Sequence, residues 1–441
     1  GRPGRLGDTR HPTPHTRGRL RGVFLAALGL ALAACTPAAA RDGARVTLRF
    51  WAMGREGEVV RELVPEFERR HPGVRVRVQQ MPWTAAHEKL LTAFVGEATP
   101  DLAQLGNTWV PEFQALNALE PLGARVARSP SLDSTDYFSG VWSTNVVADT
   151  LFGVPWYVDT RVLFYRSDIL GAAGVTAPPR SWDEWRADLR RVVEGKHARW
   201  GILLPTNEWN QLTALALQQG APLLKDGGRY GDFRDPRFVR AFDFYLSFFH
   251  DGLAPALSNT QIANMYQEFE RGTFAMFVGG PWQVGELRTR LPDSLQGKWT
   301  TAPLPSPDGR DYPGLSLAGG SSLVLFRGSE HKAEAWQLLE FLSEPAQQAK
   351  FAKLTGDLPA RESAWRLAGL DTDPQQRAFL EQLRRVAPTP KVPEWEQIAT
   401  NIFETSERVV RGRQPEAQAL AALDAQVDAK LEKRRWLLAR R

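Results

Sequence analysis

Cysteine is almost missing from this chain. Its 441 residues include one, Cys35, so no intrachain disulfide can form and the fold must hold by burial. Methionine and histidine are also scarce, with four and seven copies. The histidines (11, 15, 71, 87, 197, 250 and 331) are scattered, no His-Glu-x-x-His run occurs, and His331-x-x-Glu334 reads as helix surface. No metal site or cofactor is expected. Neither Gly-x-Gly-x-x-Gly nor the P-loop pattern occurs, which removes the two common phosphate-cradling turns. Gly319-Gly320-Ser321-Ser322-Leu323 lacks the second glycine of a nucleophile elbow. A carboxylate pair for glycoside hydrolysis has no fixed spacing in sequence, and nothing here marks one out.

Long apolar runs are few. Val23 to Ala34 is an apolar run of 12 residues, too short to span a bilayer and the size of a signal-peptide core. Arg17, Arg19 and Arg21 precede it, and Leu32-Ala33-Ala34-Cys35 closes it in a pattern that resembles a bacterial lipobox. Residues 1–35 are therefore expected to be a lipoprotein signal ending at a lipidated Cys35, with 36–45 a small, polar tether. The segment before Cys35 carries six arginines and Asp8, a net +5 that equals the charge of the whole chain. The exported part is then near neutral. The pI of about 9.4 belongs largely to the export signal, and no nucleic-acid partner is expected.

Aromatic residues are what the chain has in quantity, with 15 Trp and 22 Phe. The 43% hydrophobic and 24% charged fractions are those of a globular protein, and this length implies two lobes or more. Val46 to Trp51, the alternating Val74-Val76-Val78 and Pro100 to Leu105 read as strands, separated by helices through Val60, Leu63, Val64 and Phe67 and through Leu90, Leu91 and Phe94. Pro65 should restart the first of these helices. This order gives an α/β lobe with a parallel sheet, in which ligands sit at the carboxyl ends of strands. Leu151 to Arg166 reads as an extended segment rich in Trp and Tyr. Ser181 with Glu184 suggests a capping box, and Asp235-Pro236 a strong helix start. Phe238, Phe242, Tyr245, Leu246 and Phe249 then form a core stripe. The remainder to Arg441 reads as helical after Arg361, with a solvated basic end at Lys430, Lys433, Arg434 and Arg435.

One form recurs at element ends: an aromatic beside a glycine or small polar residue. It occurs at Trp51 to Gly54, Asn107 to Trp109, Trp156 to Asp159, Glu208-Trp209 and Gly280-Pro281-Trp282. Any single Trp is as well explained by core packing. As a set they suit sugars, whose C–H faces stack on rings while their hydroxyls need carboxylates and amides.

The Phe50-Trp51 strand end, Pro100-Asp101-Leu102, Gly153-Val154-Pro155-Trp156-Tyr157 through Tyr165-Arg166, Ser181-Trp182-Asp183-Glu184, Ala275-Met276 through Gly280-Pro281-Trp282, Gly319-Gly320 and Gly356-Asp357-Leu358-Pro359 together resemble family 1 of the extracellular solute-binding proteins, the sugar-binding subunits of ABC importers. The resemblance covers Val46 to about Leu431. It implies two α/β lobes, each a mostly parallel sheet flanked by helices, joined by three crossovers near Tyr157 to Arg161, Gly314 to Gly319 and just after Arg361. Residues 46–157 with 317–362 would form one lobe and 158–316 with 363–441 the other. By position, the resemblance places Glu56, Asn107, Thr108, Trp109, Tyr157, Asp159, Glu208, Trp209, Trp282, Gly319, Gly320, Arg361 and Trp395 at the ligand. Many relatives carry an acid where this chain has Gly106-Asn107, so the sugar's identity does not carry over. The implied protein is a monomeric receptor, not an enzyme, anchored at the cell envelope through Cys35, that closes on a small carbohydrate and docks on permease subunits. Two alternatives remain open: a receptor of the same fold for glycerol phosphate, a polyamine or a peptide, and a glycan-active enzyme.

Overall fold

The computed structural model describes residues 45–440. The expected signal segment, Cys35 and the tether up to residue 44 lie outside the described residues. Ten strands build two sheets: β1 (Val46–Met53), β2 (Val74–Met81), β3 (Leu102–Gly106), β4 (Val154–Asp159), β5 (Val162–Arg166), β6 (Trp200–Leu203), β7 (Phe274–Gly279), β8 (Trp299–Ala302), β9 (Gly319–Leu325) and β10 (Leu358–Pro359). The first sheet is six-stranded in the order β10-β4-β9-β3-β1-β2, and the second is four-stranded in the order β8-β5-β7-β6.

The two-lobed α/β class is as expected, but the strand directions are not. Only β1 with β2, β1 with β3, and β7 with β6 run parallel. The other pairs are antiparallel, so both sheets are mixed. A parallel neighbour needs a crossover of a dozen or more residues. β4 passes into β5 through Thr160 and Arg161 alone, and β9 enters the first sheet directly after Leu317 and Ala318, so no helix brings these strands round.

Neighbouring residues of each strand feed opposite faces, as a pleat requires. Phe50 joins the cluster beneath the first sheet while Trp51 joins the one on its other face. Phe164 extends the first of these clusters beneath the second sheet, where it stacks on Phe277 at 4.7 Å, and Leu163 points to the opposite core. The helix Pro236–His250 buries Phe238, Phe242, Tyr245 and Leu246 as its spacing predicts. It also buries Phe244, which stacks on Trp182 at 4.3 Å, and Phe248, so it is covered on two sides and Phe249 is left half-buried.

Local signals hold at the helix ends. Pro65 opens the helix Val64–Arg70 after a 3-10 turn at Val60–Glu62. The Ser181 side chain accepts the Glu184 N–H, while the Glu184 carboxylate reaches Arg180 N–H, one residue ahead of the cap. Asp235 accepts the Arg237 N–H at 2.8 Å. The C-terminal stretch departs from expectation twice. Val386–Ala387 forms a short parallel pair with Ser316–Leu317, too brief to show a period in sequence. The basic end is not simply solvated. Arg434 donates to Gly228 O at 3.1 Å, and Arg435 donates to Arg229 O while lying over Tyr230, which pins the last helix to a hairpin.

The chain passes between the sheets at Thr160-Arg161, just before β9, and again beyond β10. Helix Glu362–Ala368 still packs on helix Pro345–Thr355 and on β10, whereas helix Arg377–Leu383 packs on β5 and β8. The third passage thus follows the helix that starts at the expected boundary.

A candidate ligand cleft between the two sheets

Three chain segments meet where the sheets face each other: the turn after β3, the end of β4, and the start of β9. With Trp209, Asn210, Thr389 and Glu396 opposite, they enclose a cavity of about 500 Å³. This is within the range of small-molecule sites.

Main-chain geometry fixes its floor. Gly319 pairs with Asp159 and Gly320 with Val158 across the β9–β4 ladder. Gly320 has φ +120, and a Cβ there would lie 2.2 Å from Tyr157 O, so neither conformation nor space admits a side chain. The Asn107 amide donates to Ala318 O at 2.7 Å. The Thr108 hydroxyl donates to the Glu396 carboxylate at 2.6 Å, tying the turn after β3 to the helix Trp395–Val410 opposite. Arg161 donates to Asp159 Oδ1 at 2.8 Å. Trp83 and Trp109 line one wall, edge to face with centroids 5.7 Å apart, and Trp209 lines another.

Tyr157 is nearly buried, and its hydroxyl accepts from Ser321 Oγ at 2.9 Å and Gln104 Nε2 at 3.2 Å. Burial, helped by the nearby Glu56 and Asp357 carboxylates, holds its ionisation well above the usual tyrosine range. Glu56 itself is buried behind Tyr157 and shares a hydrogen bond with Asp357. Burial first, then the Glu56 charge, pushes the Asp357 carboxyl up to about 7.

A smaller cavity of about 140 Å³ adjoins the first and contains Glu208 and Trp282. Of the residues expected at the ligand, Asn107, Thr108, Trp109, Tyr157, Asp159, Trp209, Gly319 and Gly320 line the main cavity, and Glu208 and Trp282 line the small one next to it. Glu56 stands one layer back. Two expected residues are elsewhere. Arg361 is buried among Tyr137, Ser131 and Ser343, ion-paired to Asp136 at 2.8 Å, and braces the first lobe. Trp395 is 1% exposed and packs edge-on behind Trp209 at 5.4 Å, so it supports the wall without forming it.

Glu396, the very next residue, faces the cavity instead, a one-position slip along a helix start. Trp83, Asn210, Thr389 and Arg161 were also missing from the expected set. Trp83 could have been found, since it follows Pro82 at the end of β2 and repeats the aromatic-at-an-element-end form. A further cavity of about 620 Å³ lies beside the start of β1, the residues leading into β3 and those following β9, lined by Arg49, Arg327 and His331. Its two arginines already donate to the backbone carbonyls of Ala98, Thr99 and Leu119. Among the described residues no cluster of His, Cys, Asp and Glu could hold a metal ion, and no helix is long and apolar enough to cross a membrane.

Two mixed α/β lobes with a lined cleft between their sheets define the two-lobed class of solute-binding proteins. A profile of the bacterial extracellular solute-binding proteins matches residues 53–349, and the chain belongs to that family. It is 48% identical to the sugar-binding protein MalE of Xanthomonas citri, with a TM-score of 0.87 over 90% of this chain and 100% of that one. It is 24% identical to the diacetylchitobiose binding protein DasA of Streptomyces coelicolor over 93% of this chain and 99% of that one. A galactooligosaccharide-binding protein of Bacillus subtilis is also 24% identical, over 90% of this chain and 93% of that one.

Two outcomes follow from this geometry. Arg361→Met leaves Asp136 only its Ser363 donors and frees the Ser131 and Ser343 carbonyls inside the first lobe, and should lower stability by about 3–5 kcal/mol in urea unfolding; a loss under about 1 kcal/mol contradicts the bracing role. Asp357 keeps its proton in the native state at pH values where the unfolded chain has released it. The native state binds more protons between about pH 4 and about 7, so this group's contribution to stability falls as pH rises across that window and is flat above it. Asp357→Asn should remove that decline, as read from melting temperature against pH. An unchanged slope contradicts it.

Proposed function

We propose that the protein is an extracytoplasmic carbohydrate receptor that delivers a mono- or oligosaccharide to the permease of an ABC importer. The observation that carries this reading is the lining of the main cavity, where Trp83, Trp109 and Trp209 share one space with Asn107, Asp159 and Glu396. Indole faces suit the C–H faces of sugar rings, and the carboxylates and amide suit their hydroxyls. The likeness to the sugar-binding MalE of X. citri supports the same conclusion.

The mechanism is capture by closure. Each lobe supplies part of the lining, so a ligand that touches both binds the closed arrangement better and shifts the population toward it. A disaccharide of roughly 23 heavy atoms at about 0.3 kcal/mol per atom gives about −7 kcal/mol. That corresponds to roughly micromolar binding. The closed receptor then docks as a monomer on the permease, and a separate ATPase drives transport. Diacylglyceryl attachment at Cys35 would hold the receptor at the cell envelope, and no turnover is part of its role.

A phosphorylated ligand fits less well. Among the described residues Arg161 is the only cation in the lining of either cavity, and Asp159 already neutralises it. The second reading is a polyamine receptor, favoured by the carboxylates of Asp159, Glu208 and Glu396.

Titration with a broad panel of mono- and disaccharides should give saturable quenching of Trp fluorescence by at least one of them. At a hundredfold excess over Kd that sugar should stabilise the fold by about 2.7 kcal/mol, read as a rise in melting temperature. A panel that changes neither signal contradicts the carbohydrate reading, and a response to spermidine or putrescine alone favours the polyamine.

A further inference from the structure

Arg161 and Asn210 are the two residues that line both the main cavity and the small one beside it. The Arg161 guanidinium is held from two directions. One nitrogen donates to Asp159 Oδ1 at 2.8 Å, and its central carbon lies 4.8 Å from the ring centroid of Trp282. Its backbone carbonyl accepts the Ser316 hydroxyl at 2.8 Å, so the main chain beneath it is fixed as well. A charge-assisted hydrogen bond and a cation over an indole face act together on one group.

The chamber on the far side is furnished like the cavity it adjoins. Trp282 is 52% exposed although it opens a helix at the end of β7. Glu208 is oriented by donors from Gln211 at 2.5 Å and Asn259 at 2.8 Å, which leaves its carboxylate fixed beside the indole. An exposed ring with a positioned carboxylate offers the same chemistry as the main lining, and the Arg161 guanidinium that lines both cavities lies over that ring.

We propose that Arg161 is a partition that sets ligand length. The main cavity takes one or two sugar rings, and a third ring reaches the Trp282 chamber only when the guanidinium leaves the indole. This rests on the carbohydrate reading and adds to it a preference for short saccharides, with Arg161 as the residue that decides it.

The test uses mono-, di- and trisaccharides of a linkage series that the wild-type protein binds, measured by calorimetry. The wild type should bind the trisaccharide at least about tenfold more weakly than the disaccharide, since two contacts must break. Arg161→Ala and Arg161→Met, the second keeping most of the apolar stem, should bring the two ligands within about threefold. Adding Trp282→Ala to Arg161→Ala should remove the trisaccharide gain. Melting curves confirm that each variant is folded. Equal affinity for both lengths in the wild type overturns the partition, as does a wild-type ratio retained in both Arg161 variants. If the wild type binds no saccharide of any length, the carbohydrate reading fails and the partition with it.

Discussion

Two residues, Thr160 and Arg161, join the last strand residue of one sheet to the first of the other, and the rest of the site depends on how tightly they are held. A connection this short keeps the two strand ends together while leaving the lobes free to rotate about it. The β9 ladder pins one side through the Gly319–Asp159 pair, and Ser316 pins the other through the Arg161 carbonyl. The Ser316–Leu317 and Val386–Ala387 pair then ties two further segments of chain to the same place. Side chains that leave this junction have no route except into the space between the lobes, which is why Asp159 and Arg161 both line it. A cleft receptor needs this arrangement: a stiff junction, with motion distributed over the passages around it rather than within the binding groups.

The same constraint explains where small residues are required. Strands converging on one point bring backbone within contact distance of backbone, and only glycine fits at Gly320. The aromatics divide into two populations for a related reason. Trp156, Trp185, Trp365 and Trp395 are fully buried and fill layers behind the sheets. Trp83, Trp109, Trp209 and Trp282 stand at element ends, where the strands stop and no further layer covers them. Trp395 also opens a helix yet is covered, so what separates the two populations is whether a further layer packs over the ring.

That distinction marks how far the sequence could be read. Helix starts at Ser181 and Asp235, the restart at Pro65 and the core stripe of Phe238 to Leu246 are local events, and local spacing showed them. The convergence of Asn107, Asp159 and Gly319 was legible because each sits at an element end in an order shared with a known family. Strand direction was not legible, because it depends on partners more than a hundred residues away. Arg361 was misplaced for a similar reason. Its neighbours in sequence say nothing of Asp136 and Ser131, which satisfy its guanidinium inside the lobe. Glu396 and Trp395 show the limit of positional transfer: adjacent residues on a helix point about 100° apart, so a slip of one position exchanges a wall for its support.

The central claim is that a sugar binds between the sheets with its hydroxyls on the carboxylate at the end of β4. Calorimetric titration of Asp159→Ala with a sugar that binds the wild type tests it most directly, alongside a melting curve. The account predicts an intact fold and an affinity lower by roughly tenfold to a hundredfold, the cost of one hydrogen bond to a charged group. Unchanged affinity in a folded variant would contradict it and place the ligand elsewhere.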